Sequence, residues 1–225
     1  MGVVGAGFMG EMHARIFSDL PNARLVGIMD IDFERAKGVA EALGTKAFRS
    51  LEELLKQDGL DAVSICVSDD YHLEPVLAAC EAGKHILLEK PVATSHEDAH
   101  AIARAVKEHN VRMMVGHLLR FDSKYGQLKQ YVESGDLGDI ISIYTRRNSP
   151  IDHGPKRYGK DGCLTLHVAV HDLDLVLWVA QKKVKRVYAE RACIALKDLG
   201  IDDAVFATIK FDDGSIAALQ YNWVL

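Results

Sequence analysis

The chain has little that would mark a secreted, membrane-spanning or nucleic-acid-binding protein. Its four cysteines (Cys66, Cys80, Cys163, Cys193) are scattered and form no CxxC pair, which reads as reduced thiols of a cytosolic protein. No apolar run exceeds strand length, so no membrane span is expected. No basic tract reads as a phosphate-backbone footprint, and a net charge of −5 argues against nucleic acid as the main partner. Nothing resembling a leader precedes the opening glycine loop, and a cytoplasmic location is the expectation. Internal repeats and low-complexity segments are absent too. What remains, 48% hydrophobic and 26% charged residues over 225 positions, fits a globular chain of one large or two smaller domains.

Two rhythms divide the chain. In the first half, apolar strand runs ("MGVVG", "RLVGIMD", "KAF", "DAVSICV", "HILL", "VRMMVG") alternate with helix patterns at 8–20, 32–44, 51–57, 74–83 and 96–109. Such alternation predicts βαβ units and a doubly wound parallel sheet covered on both faces. Ser50 and Glu53 spell a capping box, Ser95 a second cap, and Pro75 and Gly83 bracket a helix. After residue 120 come a helix near 123–135, a strand at 140–147, a polar loop at 148–162, a helix at 164–180 and strands at 184–192, 204–211 and 215–224. "DDG" joins the last two strands as a hairpin. The expected architecture is therefore α/β: a Rossmann domain over 1–120, and an α+β domain with an open, largely antiparallel sheet over 121–225. The first strand is very short, and the final residues alternate like a strand and then stop. The expectation is a truncated second domain.

Three sites stand out. "GAGFMG" (Gly5, Ala6, Gly7, Phe8, Met9, Gly10) fits G-x-G-x-x-G after a strand and before a helix. The glycines permit a tight turn and close backbone approach, and the helix N-terminus receives a pyrophosphate. Asp30 ends the next strand, where a carboxylate can accept hydrogen bonds from a ribose diol. The blander alternative is a glycine turn and an acid without a ligand. Next, the strand ends place Gly5, Ser68, Glu89, Lys90 and His117 on one rim, the rim where doubly wound sheets bind ligands. Lys90 there reads as a catalytic or substrate-positioning cation, against the alternative of solvated charges where a strand surfaces. Arg35 and His72 complete the expected cofactor set. A cis peptide before Pro91 is expected, since Lys90 must turn sharply off its strand. Finally, "GCLTLHVAVHDLDLVLW" places His167, His171, Asp174 and Trp178 on one helical face. Histidines there suit proton transfer. Cys163 extends the pattern to C-x3-H-x3-H, a zinc alternative that is expected to fail, and core histidines are the third possibility.

At these residues the sequence resembles the glucose–fructose oxidoreductase/inositol dehydrogenase (Gfo/Idh/MocA) family. "GVVGAGFMG", "AGKHILLEKP" and "HDLDLVLW" carry the resemblance over nearly the whole chain, and "GHLLRFD" is similar to the family's interdomain crossing. The resemblance implies a Rossmann domain that binds NAD or NADP. It also implies a second domain that holds a sugar or polyol and builds a homo-oligomer, a dimer or tetramer, and reversible hydride transfer at a hydroxyl. By the same resemblance Lys90 orients and polarises the reacting oxygen, His171 moves the hydroxyl proton, Asp30 holds the ribose and Glu89 lies beside the cofactor. The family commonly has aspartate where this chain has His167, which bears on how His171 is tuned. Asp30 and Asp32 would repel a 2′-phosphate, so NAD is expected over NADP, with Arg35 as the opposing cation. Arg146, Arg147, Lys156 and Arg157 in and before the polar loop suit an anionic group on the substrate, with Arg147 the candidate contact, and equally suit a solvated lid. A sensor or scaffold without catalysis is the rival reading, and a zinc-dependent enzyme a third.

Overall fold

The computed structural model describes residues 1–151 and 162–224, and the expected loop cations Lys156 and Arg157 lie outside them. The chain divides into two compact units, Met1–Gly116 and His117–Leu225. The boundary falls four positions before the expected one, and His117 opens the second unit instead of closing the first.

The first unit is a six-stranded parallel sheet in the order β3-β2-β1-β4-β5-β6. Its strands are β1 (Gly2–Val4), β2 (Gly27–Met29), β3 (Lys46–Phe48), β4 (Ala62–Ile65), β5 (His85–Leu88) and β6 (Met113–Val115). The helices between them are α1 (Phe8–Asp19), α2 (Phe33–Ala42), α3 (Leu51–Leu55), α4 (Leu73–Glu81) and α5 (His96–Glu108). Successive side chains alternate faces along a strand. Accordingly, Val3 joins a core with Ala14, Ile28, Ala36 and Ala40, whereas Val4 joins another with Ile65, Val76, Leu88 and Ile102. Both faces are covered, so the strand ends are where polar chemistry can reach solvent. The local signals act as their chemistry requires. Ser50 Oγ accepts from the Glu53 N–H, and Ser95 Oγ accepts from the Asp98 N–H. Glu53 returns its bond to the Arg49 N–H instead of to Ser50, a capping box displaced by one residue.

The second unit holds α6 (Ser123–Ser134), β7 (Ser142–Asn148), a π-helical turn (Thr165–Ala169), α7 (Val170–Ala180), β8 (Val184–Ala192), β9 (Ala204–Phe211) and β10 (Ile216–Asn222). The sheet order is β7-β10-β9-β8. Two pairs are antiparallel, as expected, but β7 runs parallel to β10 at the edge. One face (Val205, Ile209, Phe211, Ala217, Leu219, Tyr221) packs against Leu164, Val168, Ala169, Val176 and Ala180 of the helical segment. The other face leaves Tyr144, Tyr188, Phe206 and Ile216 exposed.

Candidate functional site

The glycine loop follows from steric demands. Gly5 has φ of +92°, and a Cβ there would lie 2.8 Å from the Cys66 backbone. A Cβ on Gly10 would lie 1.7 Å from the Gly5 carbonyl oxygen, so only glycine lets α1 start this close to β1. Gly7 is the N-cap of α1; it has no side chain to cap the helix, and a Cβ on it would meet nothing within 4 Å. The loop thus presents a helix N-terminus over open space, a cradle suited to a pyrophosphate.

Beside the loop lies a cleft of about 970 Å³ within the first unit. Of the expected cofactor residues, Gly5, Gly7, Asp30, Arg35 and Ser68 line it, with apolar walls from Leu51, Val67, Pro75 and Ala78. Asp30 is 6% exposed. Its carboxylate accepts from the Ala6 N–H at 2.6 Å and from the Asp32 N–H at 2.8 Å, which pins the glycine loop to the end of β2. A carboxylate offers about four acceptor sites, so these two bonds leave capacity for a ribose diol. Arg35 lies 3.8 Å from Asp30 and 3.3 Å from Asp32, which partly offsets the acidic field expected to reject a 2′-phosphate. The residues present fit a dinucleotide.

His72, an expected cofactor contact, is buried against backbone carbonyls. It is 1% exposed, and its Nδ1 lies 2.9 Å from the Pro91 carbonyl and its Nε2 3.3 Å from the Val67 carbonyl. It clips the segment after β4 to the segment after β5 and is not among the residues lining the cleft. The Lys90–Pro91 peptide is cis, as expected. Glu89 and Lys90 are half-buried at the end of β5. The Glu89 Oε2 accepts the Lys90 N–H at 3.2 Å, and Oε1 lies 3.2 Å from Nε2 of His13. The sequence reading passed over His13. Its one visible signal is a polar residue on the stripe Gly10, His13, Ala14, Phe17, which is otherwise small or apolar.

In the second unit the expected four-residue face separates. His167 falls in the π turn, and its Nδ1 accepts the Cys163 N–H at 3.0 Å. That ring is turned onto its own backbone, while Cys163 Sγ lies 3.6 Å from Thr165 Oγ1. His171 follows in the first turn of α7 and is half-buried. Asp174 is held by Arg120 in two bonds of 2.8 and 2.5 Å, with His117 Nε2 at 3.7 Å. Trp178 packs beneath Arg120 and Lys129. The C-terminal half of the face therefore serves to anchor α6 and the segment before it. Arg147, the expected substrate contact, has a partner within the unit. Its guanidinium is paired in two bonds, 3.0 and 2.9 Å, with buried Asp172, the neighbour of His171. The pair compensates its charge and fixes α7 against β7. Among the described residues no group of three or more His, Cys, Asp or Glu is placed to hold a metal ion.

Glycine loop, strand-end acid and switch-point cleft define a dinucleotide-binding Rossmann domain followed by a mixed-sheet α/β unit. Residues 1–117 match "Oxidoreductase family, NAD-binding Rossmann fold" and residues 125–225 match "GFO/IDH/MocA C-terminal domain"; the chain belongs to this oxidoreductase family. It is 33% identical over 229 residues to inositol 2-dehydrogenase of Rubrobacter xylanophilus, covering 100% of this chain and 65% of that protein. It is 29% identical over 228 residues to myo-inositol 2-dehydrogenase of Thermotoga maritima, covering 98% and 67%. The structure of scyllo-inositol dehydrogenase from Lactobacillus casei with bound NAD(H) and scyllo-inositol superposes with a TM-score of 0.90 at 26% identity, covering 100% of this chain and 68% of that one. The chain thus spans about two thirds of the length of the curated relatives it matches, 65% and 63% for two further relatives, both uncharacterized oxidoreductases.

Proposed function

We propose that the chain is the nucleotide- and substrate-handling part of an NAD-dependent dehydrogenase acting on a hydroxyl of a sugar, polyol or sugar derivative. What supports this reading is the carboxyl-end rim of the first sheet, where the glycine cradle follows β1, Asp30 follows β2 and the half-buried Lys90 follows β5. Gly5, Gly7 and the first turn of α1 would hold the pyrophosphate, and Asp30 the adenine ribose. A nicotinamide cofactor held there would supply the hydride-transfer chemistry. Lys90 stabilises the developing oxyanion, where fixed positive charge is worth most. His171 takes the hydroxyl proton in oxidation and returns it in reduction, and His167 orients its neighbour. The inositol dehydrogenases among the relatives make inositols the first substrates to try.

Nicotinamide absorbance across a panel of inositols, sugars and sugar acids tests the reading. Turnover of none of them, with NADH still bound, would favour the rival reading of a sensor or scaffold. NAD should be preferred over NADP in kcat/KM because of Asp30 and Asp32, by a margin that Arg35 reduces; a clear NADP preference would sink that part. The partner expected beyond the substrate is a second copy of the chain. Supporting it are Tyr144, Tyr188, Phe206 and Ile216, exposed at 62%, 62%, 56% and 48% on the uncovered sheet face. A cytoplasmic location is part of the same reading; among the described residues no helix is long and apolar enough to cross a membrane.

A further inference from the structure

His13 has no part in the proposed reaction, yet it is one of the most thoroughly engaged ionisable groups of the first unit. Its side chain is 14% exposed and that of Glu89 is 12% exposed. Nε2 of His13 faces Glu89 Oε1 at 3.2 Å, and Nδ1 faces Ser64 Oγ at 2.8 Å and Cys66 Sγ at 3.4 Å. Phe17 of the same helix meets the ring edge-on. The imidazole is therefore surrounded by β4 on one side and by the end of β5 on the other. A carboxylate has no proton to give, so Nε2 donates to Glu89.

Glu89 is the hub. Its Oε2 accepts the Lys90 backbone N–H at 3.2 Å, and its Oε1 would lie 3.1 Å from any Cβ on Gly116, so the end of β6 must come this close without a side chain. A carboxylate this deep needs a counter-charge, or it costs several kcal/mol and takes up a proton instead. Hydrogen bonds that His13 donates to Cys66 and Glu89 outweigh burial and raise its pKa to about 10. Burial pushes Glu89 upward, but His13 and Lys90 together prevail and keep it below the usual carboxylate range.

We propose that His13 is a positioning residue of the cofactor rim: its imidazolium ties the glycine-loop helix to Glu89, and through that carboxylate fixes the Lys90 backbone and the charge balance where the dinucleotide binds. Without His13, Glu89 is a half-buried anion with Lys90 as its remaining counter-charge, beside the loop that receives a pyrophosphate. The inference rests on the NAD reading for its second readout, not for its first.

The test uses the full chain with His13→Gln, Glu89→Gln and the double variant, which are close in shape to the wild type. Histidine proton NMR needs no cofactor. The His13 signal, identified by its loss in His13→Gln, should stay that of an imidazolium through pH 8 and titrate near the ordinary value of about 6.5 in Glu89→Gln. Because the folded value is raised, His13's contribution is complete below about 6.5 and is lost as pH rises toward about 10, while that of Glu89 is lost as pH falls through its lowered value. In NADH titrations from pH 5.5 to 8.5, the wild type should be nearly flat. His13→Gln should bind about tenfold more weakly at pH 8 and recover as pH falls and Glu89 protonates. The double variant should bind more tightly than His13→Gln at pH 8 and lose the pH dependence, because the anion is gone. His13 titrating normally in the wild type would overturn the pairing. A flat His13→Gln profile, with the double variant losing the sum of the two single losses, would overturn the role in charge balance. Absence of NADH binding by the wild type would overturn the proposed cofactor and this second role together, while an imidazolium at pH 8 would still uphold the pairing.

Discussion

In the first unit a parallel sheet is covered on both faces, and its ionisable groups gather at the strand ends: Asp30 after β2, Glu89 and Lys90 after β5. In the second a mixed sheet is covered on one face, and the charges run along the helical segment that covers it, Asp172 to Arg147 and Asp174 to Arg120. A doubly covered sheet has no polar face to offer, so chemistry is confined to its rim. A singly covered sheet leaves the flank of its helix available, and there the same kinds of side chain divide between anchoring the helix and carrying His167 and His171.

The comparison breaks most severely at the rim itself. Gly10→Val puts carbon where the Gly5 carbonyl stands and should abolish both NADH binding and the melting transition of the first unit. Gly7→Ala adds a methyl group in open space and should leave the melting temperature unchanged; equal losses in the two variants would refute the steric account. Lys90→Ala and His171→Ala should each lower kcat by about 10²–10⁴-fold with NADH affinity nearly intact. His167→Ala should do less. Near-normal turnover in the Lys90 variant would defeat the proposed mechanism.

A smaller effect distinguishes structural from functional carboxylates. Asp203 is 4% exposed, and burial drives its pKa up, but the N–H groups of Ile194, Ala195 and Leu196 together outweigh this and hold it below the ordinary range. Its contribution is present above the unfolded carboxylate value, about 3.9, and is lost as pH falls through the folded one. Asp203→Asn should therefore cost about 1–3 kcal/mol at pH 7 and less at pH 3, read by denaturant melts at the two pH values. The smallest change in folding energy belongs to the open sheet face. Phe206→Lys should leave stability within about 0.5 kcal/mol while reducing the molar mass in solution. An unchanged mass would argue that the uncovered face is not where copies meet.

Much of this was legible because it was local. The strands at 184–192 and 204–211 have the expected bounds, and the two-Asp, one-Gly turn folds 204–211 back onto 216–222. Strands in the first unit are shorter than their apolar runs: "DAVSICV" pairs only from Ala62 to Ile65, because Cys66 and Val67 already belong to the cleft. The helix at 164–180 is present, but it begins in a π turn that no periodicity announces. His13, the true partner of Arg147 and the clip made by His72 were illegible for one reason. Each depends on which distant segment lies opposite, and a single sequence does not state its long-range contacts.

The parallel edge pair of the second unit also bears on how the chain reaches its fold. The β8–β9–β10 meander closes through short connections, whereas β7 meets β10 across 76 positions, as in the Tyr144–Gln220 hydrogen bond. Loop-closure entropy delays such a contact until the rest of the sheet rewards it. The meander should therefore be ordered in the folding transition state and β7 should dock last. Substitutions in β9 should then slow folding, while substitutions at Ile143 or Tyr144 should mainly speed unfolding.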